Sequence, residues 1–141
     1  MEKIVIALNL IIDYIDTDEI VSEKDITDYL QNTGFDDYEI RQTLSILNFG
    51  VYENPEAIRF FTAPERNKIS EKAIQYLQKL NLAGMLDFVT LEDIIDKSMD
   101  TADQKVDVEN IKQITLYTLL EKKSYILKND YEFQEEDYYI Q

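Results

Sequence analysis

Helix-start signals recur along the chain, each followed by apolar residues at helical spacing, and this pattern constrains the fold more than any other feature. Ser22 is followed three positions later by Asp25, and Asp36 by Glu39, which is the arrangement of a capping box. Thr62 opens a third start, with a proline in the first turn and a glutamate at the third position. The pattern predicts a chain built of helices.

Further starts follow in the second half of the chain. Ser70 is a second possible start after Thr62, and Thr90 with Asp93 predicts the beginning of a shorter helix. Asp107, preceded by Val106, resembles a cap whose hydrophobic staple reaches Ile111. Only three glycines and two prolines interrupt the 141 residues, and this scarcity of breakers favours long regular elements. The residues predicted to face the core are Ile4, Val5, Leu8, Ile11, Ile12, Ile15, Ile26, Leu30, Ile40, Leu44, Leu47, Ile69, Ala73, Leu77, Leu80, Ile94, Ile95 and Met99.

The predicted fold is all-α, with about six helices in one compact domain that covers residues 1–123. At the N-terminus, three helices are predicted to form a helix-turn-helix-like unit. Gly34 separates the second of these helices from the third. The domain could be divided into lobes at 1–50 and 59–123, joined by a connector at 51–58 that holds a proline and no helical period. Residues 124–141 differ in composition and are predicted to be an acidic, tyrosine-rich tail.

The residues that the chain lacks limit its chemistry. It contains no cysteine and no histidine, so disulfides, thiolate chemistry and the usual zinc or haem ligands are excluded. Serine and lysine remain as nucleophiles, but none of the common catalytic or phosphate-binding motifs surrounds them. We therefore predict that the protein is not an enzyme and has no cofactor and no metal site.

Two acidic patterns are alternatives to that prediction. Glu92 and Asp96 lie one helical turn apart, a spacing that suits acid–base chemistry or magnesium, although a chain with 29 acids holds such pairs by chance. A carboxylate-dependent hydrolase is therefore kept as a third hypothesis for the function, after the two described below. The segment from Asp96 to Asp107 resembles a calcium-loop register, but Thr101 replaces the turn glycine. A polar interhelical loop is predicted there instead.

The charge of the chain predicts its partners. It carries 29 acidic and 14 basic side chains, a formal charge of −15, which repels phosphate backbones and anionic membranes. A protein with a basic surface is the expected partner. The helix-turn-helix-like unit follows this trend, because residues 22–50 contain six acids and two bases. A recognition helix of that charge would meet a polyanion with carboxylates, so we predict a packing unit or a protein-docking surface.

Residues 59–80 form a basic island, in which five basic side chains outnumber two glutamates. Such a helix face binds phosphate or acidic peptides, or it is a solvated surface that neutralises nearby acids of the same molecule. The first possibility supports the alternative function, a nucleic-acid-associated regulator. The candidate binding residues of the island are Arg59, Phe60, Arg66, Lys68, Lys72 and Lys79.

The tail at 124–141 interleaves aromatic residues with five acids. This composition is typical of a segment that docks into a basic, apolar groove or adds a strand to a partner. The alternative is that the tail packs on its own helices. Its candidate binding residues are Tyr131, Phe133, Tyr138 and Tyr139.

The N-terminal apolar run lacks the small-residue cleavage site of a signal peptide and is too short to span a bilayer. We therefore expect a cytoplasmic protein without a membrane partner. Its oligomeric state stays open.

Several blocks of sequence, in their order and spacing, resemble the bacterial Smg family of small acidic proteins. The likeness covers most of residues 1–120 and implies a mainly helical cytoplasmic protein, with no established reaction, cofactor or catalytic residue. The blocks are GFDDYEIRQTLSIL, RFFTAPERNKISEKAIQYLQKLNLAGML, TLEDIIDKSM and VDVENIKQITLYTLL. The predicted function is therefore a non-enzymatic protein-interaction module or adaptor that presents acidic and aromatic surface to a basic partner.

Overall fold

The computed structural model describes residues 3–17, 22–47, 59–101 and 105–122, and every regular element within these ranges is an α-helix. The predicted all-α fold is confirmed. Seven helices are present in the described residues, because both starts predicted after residue 60 are used, Thr62 for the fourth helix and Ser70 for the fifth. The helices are α1 Lys3–Thr17, α2 Glu23–Thr33, α3 Asp37–Leu47, α4 Ala63–Lys68, α5 Glu71–Leu82, α6 Phe88–Asp100 and α7, residues 108–122.

The caps predicted from the sequence are confirmed for α2 and α3. The Ser22 hydroxyl accepts a hydrogen bond from the Asp25 amide at 3.1 Å, and the Asp25 carboxylate accepts one from the Ser22 amide. Asp36 and Glu39 exchange the same pair of bonds at 2.8 and 3.0 Å. Between the two helices, Gly34 adopts a φ of 112°, a conformation that residues with a Cβ rarely adopt. The predicted helix-turn-helix connectivity is therefore set by local interactions.

The start of α6 corrects the prediction. The cap is Asp87, whose carboxylate accepts a hydrogen bond from the Thr90 amide at 2.6 Å. Thr90 lies inside the helix and is buried. The earlier start adds Phe88, Val89 and Thr90 to the helix. Asp is the stronger capping residue of the two, and its helix extends to Asp100, so the predicted polar loop does not include residues 96–100.

In the N-terminal unit, α3 contacts both α1 and α2. The rings of Tyr14 and Tyr29 stack with centroids 4.5 Å apart and planes 11° from parallel. Helix α1 also packs on α5. There the buried Tyr76 hydroxyl donates a hydrogen bond to the Ile12 carbonyl at 2.8 Å, which joins the N-terminal unit to the rest of the molecule.

In the part of the chain that the structure describes, the C-terminal helices are connected by one backbone bridge and by an antiparallel helix pair. Ile69, between α4 and α5, forms a parallel bridge with Val106, just before α7. Its two hydrogen bonds are each 2.8 Å long. Asp87 at the start of α6 lies 3.7 Å from Lys122 in α7, and Lys97, later in α6, contacts Thr118, which is earlier in α7. The two helices therefore run in opposite directions.

The core is one cluster of buried apolar side chains with members from α1, α2, α3, α5, α6 and α7. The residues predicted to face it are buried or packed against it as predicted, except that Val5 is half-buried. Among the seven described helices, none combines the length and the hydrophobicity that a membrane span requires. The division of the chain into lobes, with a connector at 51–58 and a tail at 124–141, stays a prediction, since those two segments lie outside the described residues.

Candidate functional site

The basic island at residues 59–80 is not one continuous surface. The guanidinium of Arg59 lies between Glu65, which accepts bonds of 2.7 and 2.8 Å, and Glu92, which accepts two more. The bonds to the two glutamates raise the pKa of Arg59. The hydrogen bond from Arg59 in turn lowers the pKa of Glu65. The Arg59 side chain is only 17% exposed. Its charge is therefore held by two carboxylates of the same chain.

The lysines of the island lie on different helices. The Lys68 ammonium, at the end of α4, donates a hydrogen bond to the Thr101 carbonyl at 2.8 Å. Lys72 and Lys79 lie on α5 and line a depression of about 450 Å³ that also contains Asp16 and Glu109. A helix face shared by Lys68, Lys72 and Lys79 is thus broken at the α4–α5 junction. The two acids of the depression form ion pairs with Lys112.

The two adjacent phenylalanines at residues 60 and 61 have opposite environments. Phe61 is buried, and the Arg59 guanidinium lies 5.0 Å from the centre of its ring. Phe60 is 84% exposed. Arg66 and Lys72 are also exposed, so three of the six predicted island residues are open to a partner and form no ion pair with an acid among the described residues. The predicted tail residues Tyr131, Phe133, Tyr138 and Tyr139 lie outside the described residues.

The first turn of α3 carries the acids that the sequence analysis identified. The Asp36 and Glu39 carboxylates are both engaged in the helix cap, and Asp37 is exposed beside them. Because DNA-reading helices present this end to bases and phosphates, its negative charge is consistent with the predicted packing or protein-docking role.

A groove between α6 and α7 combines acidic and apolar side chains, and we call it the α6–α7 groove. Its volume is about 780 Å³. At one end, Val89 is 79% exposed and Phe88 is 42% exposed. Among the described residues that line it are five carboxylates and one lysine. The lining residues are Asp87, Phe88, Val89, Thr90, Glu92, Asp93, Asp96, Thr118, Glu121 and Lys122.

The walls of the groove already bind one ammonium group of the chain itself. Lys97 donates hydrogen bonds to Asp93 at 3.0 Å, to the Thr118 hydroxyl at 3.0 Å and to Glu121 at 3.1 Å. Burial lowers the pKa of Lys97, but the bonds to the two carboxylates outweigh burial, so the pKa is raised. The Tyr117 ring, 5.9 Å away, adds a cation–π contact. Carboxylates and a hydroxyl on facing helices thus form a setting that favours a cation.

The two ends of the groove differ in their free charge. At the apolar end, Asp87 caps α6. Burial raises the pKa of Asp87, but the hydrogen bonds from Thr90 and the charge of Lys122 outweigh burial, so the pKa of Asp87 is lowered. At the other end, Asp96 is exposed and has no ion-pair partner among the described residues. Glu92, between them, links the groove to Arg59. An incoming cation therefore meets the most available carboxylate at Asp96.

The described residues contain no group of three or more Asp, Glu, His or Cys side chains arranged to hold a metal ion. The pair Glu92 and Asp96 lies on the groove wall, but Glu92 is bonded to Arg59. What the arrangement offers chemically is a surface that binds an ammonium or guanidinium group beside an apolar side chain.

Sequence reasoning missed most of this groove. The sequence shows Glu92 and Asp96 as a pair, but a helix that starts at Thr90 leaves Phe88 and Val89 in the segment before it. With Asp87 as the cap, Phe88, Glu92 and Asp96 fall at four-residue spacing along one helix face. The contribution of Glu121 on α7 had no local signal, since only the packing of the two helices places it beside Asp93.

Comparison with known proteins gives a family and no reaction. Residues 5–140 match the family model described as "Protein of unknown function (DUF494)". The chain is also similar to a protein called "Protein Smg homolog" from Idiomarina loihiensis, with 24% identity over 112 residues, which are 71% of each of the two chains. No solved structure matches the chain. The chain thus belongs to the DUF494 family, that of the Smg proteins, as its sequence blocks indicated.

Proposed function

We propose that this chain is a non-enzymatic interaction module that binds a basic, partly apolar segment of another protein in the α6–α7 groove. One observation supports the proposal above the others: five carboxylates line a groove of about 780 Å³ that begins at the exposed side chains of Phe88 and Val89. Exposed apolar side chains rimmed by charge are typical of protein-binding surfaces.

The two kinds of side chain have different tasks in this proposal. Burying an apolar side chain the size of Phe88 or Val89 contributes roughly 1.5–3 kcal/mol, whereas an exposed ion pair contributes about 0.2–1 kcal/mol. The apolar end therefore supplies most of the affinity. The carboxylates, together with a formal charge of −15, speed the encounter with a basic partner and discourage acidic ones. Binding should weaken with salt without disappearing.

The alternative, a nucleic-acid-associated regulator, has less support. Arg59 is bonded to Glu65 and Glu92. Lys68 donates a hydrogen bond to the Thr101 carbonyl and lies on a different helix from Lys72 and Lys79. Release of condensed counterions requires several available cations at the phosphates. The basic island offers few such cations.

The experiment is a quantitative capture assay with the full chain as bait and a lysate of the source organism. The groove variant combines Val89→Asp with Asp96→Lys. The matched control combines Tyr38→Asp with Asp28→Lys, which makes the same exchanges at exposed positions of α3 and α2. The expected result is a partner of basic composition that the wild type and the control recover equally and that the groove variant loses by at least tenfold.

The assay also separates the other possibilities. A captured protein that both double variants retain contradicts the groove as the binding site. Loss of all capture after nuclease treatment, together with salt-sensitive nucleic-acid binding that Lys68→Glu with Lys72→Glu abolishes, establishes the alternative function. Deletion of residues 124–141 measures the contribution predicted for the tail: a loss equal to that of the groove variant means that both segments contact the partner.

A further inference from the structure

We infer that the occupant of the α6–α7 groove is a short amphipathic helix whose apolar anchor and basic residues lie about two turns apart on one face. The inference rests on the proposed function and adds the conformation and side-chain spacing of the bound segment. It follows from the order of side chains along α6, from the backbone of the groove walls and from the way the walls hold Lys97.

The backbone of the walls favours a helical occupant. An extended peptide leaves its own N–H and C=O groups unpaired unless a strand edge or another main-chain partner receives them. The described walls of the groove are two helices, and the backbone groups within helices are already paired, apart from N–H groups in the first turn of α6. A bound helix satisfies its own backbone and needs only side-chain contacts, which the groove provides.

The order of the side chains sets the spacing. Phe88 and Val89 begin α6, and Asp96 lies eight residues after Phe88 on the same helix. At about 1.5 Å per residue, these positions are roughly 12 Å apart along the groove. A helix that lies along α6 must therefore place its cation about seven or eight residues from its apolar anchor. That separation returns both side chains to the same face, since two turns take about seven residues.

Lys97 provides an internal example of the cation that such a helix would bring. Its ammonium is held by a carboxylate of α6 and by a hydroxyl and a carboxylate of α7. Asp96 is exposed on the same wall, without an ion-pair partner among the described residues. A lysine or arginine of the bound helix would pair with Asp96 on the outer side of the Lys97 contacts. The opposite charges of wall and occupant also disfavour a second copy of this acidic chain.

The test uses synthetic helical peptides and the full chain, with affinity measured by fluorescence anisotropy. The in-phase peptide carries two adjacent apolar residues, with lysines seven and eight positions later. The out-of-phase peptide has the same composition and net charge, but its lysines are moved by two positions, which turns them about 200° to the opposite face. A third peptide is the in-phase one with a proline at its centre, which disrupts the helix.

The in-phase peptide should bind at least tenfold more tightly than the other two, and Asp96→Lys should remove that advantage while Asp28→Lys leaves it intact. Equal affinity of the in-phase and out-of-phase peptides overturns the inference, since charge alone then explains binding, and it leaves the proposed function standing. Equal affinity of the proline peptide overturns the helical conformation. Failure of the proposed function has a different signature, namely capture in the lysate assay that the groove variant does not reduce.

Discussion

The N-terminal unit, α1 to α3, and the C-terminal helices, α4 to α7, are held together by different interactions. In the N-terminal unit, the described residues show reciprocal caps, stacked tyrosines and an apolar core, with Lys3–Glu39 as an ion pair on the surface. In the C-terminal helices, Arg59 and Lys97 each join two or more acidic partners across helices. Lys112 of α7, whose side chain is only 12% exposed, also binds Asp13 and Asp16 of α1 together with Glu109. These partly buried cations thus come from the C-terminal region, and one of them also gathers acids of α1.

This difference separates a scaffold from a surface suited to binding. The caps of α2 and α3 occupy Asp25, Asp36 and Glu39 locally, so these acids help to define helix ends. Between α6 and α7, the carboxylates face a common groove, and the cation Lys97 holds the two walls together from within. Because the walls stay acidic after Lys97 is bound, this groove remains available to a basic partner.

The largest effect is expected from the shared core. Leu8→Ala in α1 removes a fully buried side chain and should lower the free energy of unfolding by about 2–5 kcal/mol, since a cavity adds to the lost transfer energy. Leu82→Ala, at an exposed position of α5, is the matched control and should change stability by less than about 0.5 kcal/mol. Urea unfolding followed by circular dichroism measures both.

The same experiment tests whether the two regions fold together. The core cluster contains residues of α1 and of α5 to α7, so Leu8→Ala should shift one cooperative transition. Two separate transitions, with only the first moved by the substitution, would show that the regions unfold independently.

The next effect concerns Arg59. Arg59→Lys keeps the charge but loses the planar fork that binds Glu65 and Glu92, and we expect a loss of about 1.5–3 kcal/mol, the range for hydrogen bonds to charged groups. Arg66→Lys, at an exposed position of α4, should be neutral within about 0.5 kcal/mol. Thermal and urea unfolding of the pair measure the difference. Equal stability of the two variants would mean that the Arg59 contacts contribute nothing measurable.

The Arg59 contacts also predict a pH dependence. The hydrogen bond from Arg59 lowers the pKa of Glu65 in the folded protein. A group with a lowered folded pKa stabilises the fold above its unfolded pKa, about 4.3 for glutamate, and that stabilisation is lost as the pH falls through the lower folded value. The wild type should therefore lose more stability than Arg59→Met between pH 5 and the acid limit of folding. Parallel curves for the two proteins would contradict the assignment.

A smaller effect is expected at a cap of the N-terminal unit. Ser22→Ala removes the acceptor of the Asp25 amide and should cost about 1 kcal/mol. Thr27→Ala, at a position within α2, provides a comparison in which no cap is lost. Amide hydrogen exchange of α2 should accelerate in the first variant. Unchanged exchange there would contradict a stabilising role for the cap.

The smallest effect is expected from the surface ion pair. Lys3 has a side chain that is 65% exposed and lies 3.2 Å from Glu39, so Lys3→Ala should change stability by less than about 1 kcal/mol. Raising the salt concentration should reduce even that difference. A larger loss, comparable with that of Arg59→Lys, would remove the distinction between the two regions.

The sequence predicted what local interactions determine. The caps at Ser22, Asp36 and Thr62 were predictable because each involves groups three residues apart. The cap of α6 was misplaced because Asp87 and Thr90 are both capping residue types, and only the burial of Thr90 distinguishes them. The number of helices was underestimated because Thr62 and Ser70 are alternative helix starts in the sequence, whereas the folded chain uses both.

The candidate site was less predictable because its contacts are distant in sequence. Arg59 and Glu92 are separated by 33 residues and Lys97 and Glu121 by 24. The composition of the basic island suggested available cations, yet folding brings acids to Arg59 that no local pattern reveals. The groove was missed for the same reason: contacts between distant residues form it, and the order of the helices in the sequence does not show how α6 and α7 pack.

The most direct test of the central claim is a titration of the isotopically labelled full chain with the in-phase helical peptide, followed by backbone amide chemical shifts. Our account predicts that the shifts concentrate on the two walls of the groove, at Val89, Asp96 and Thr118, and that amides of α2 and α3 stay unchanged. Shifts centred on α3 or on Lys72 and Lys79, with the groove unaffected, would contradict it.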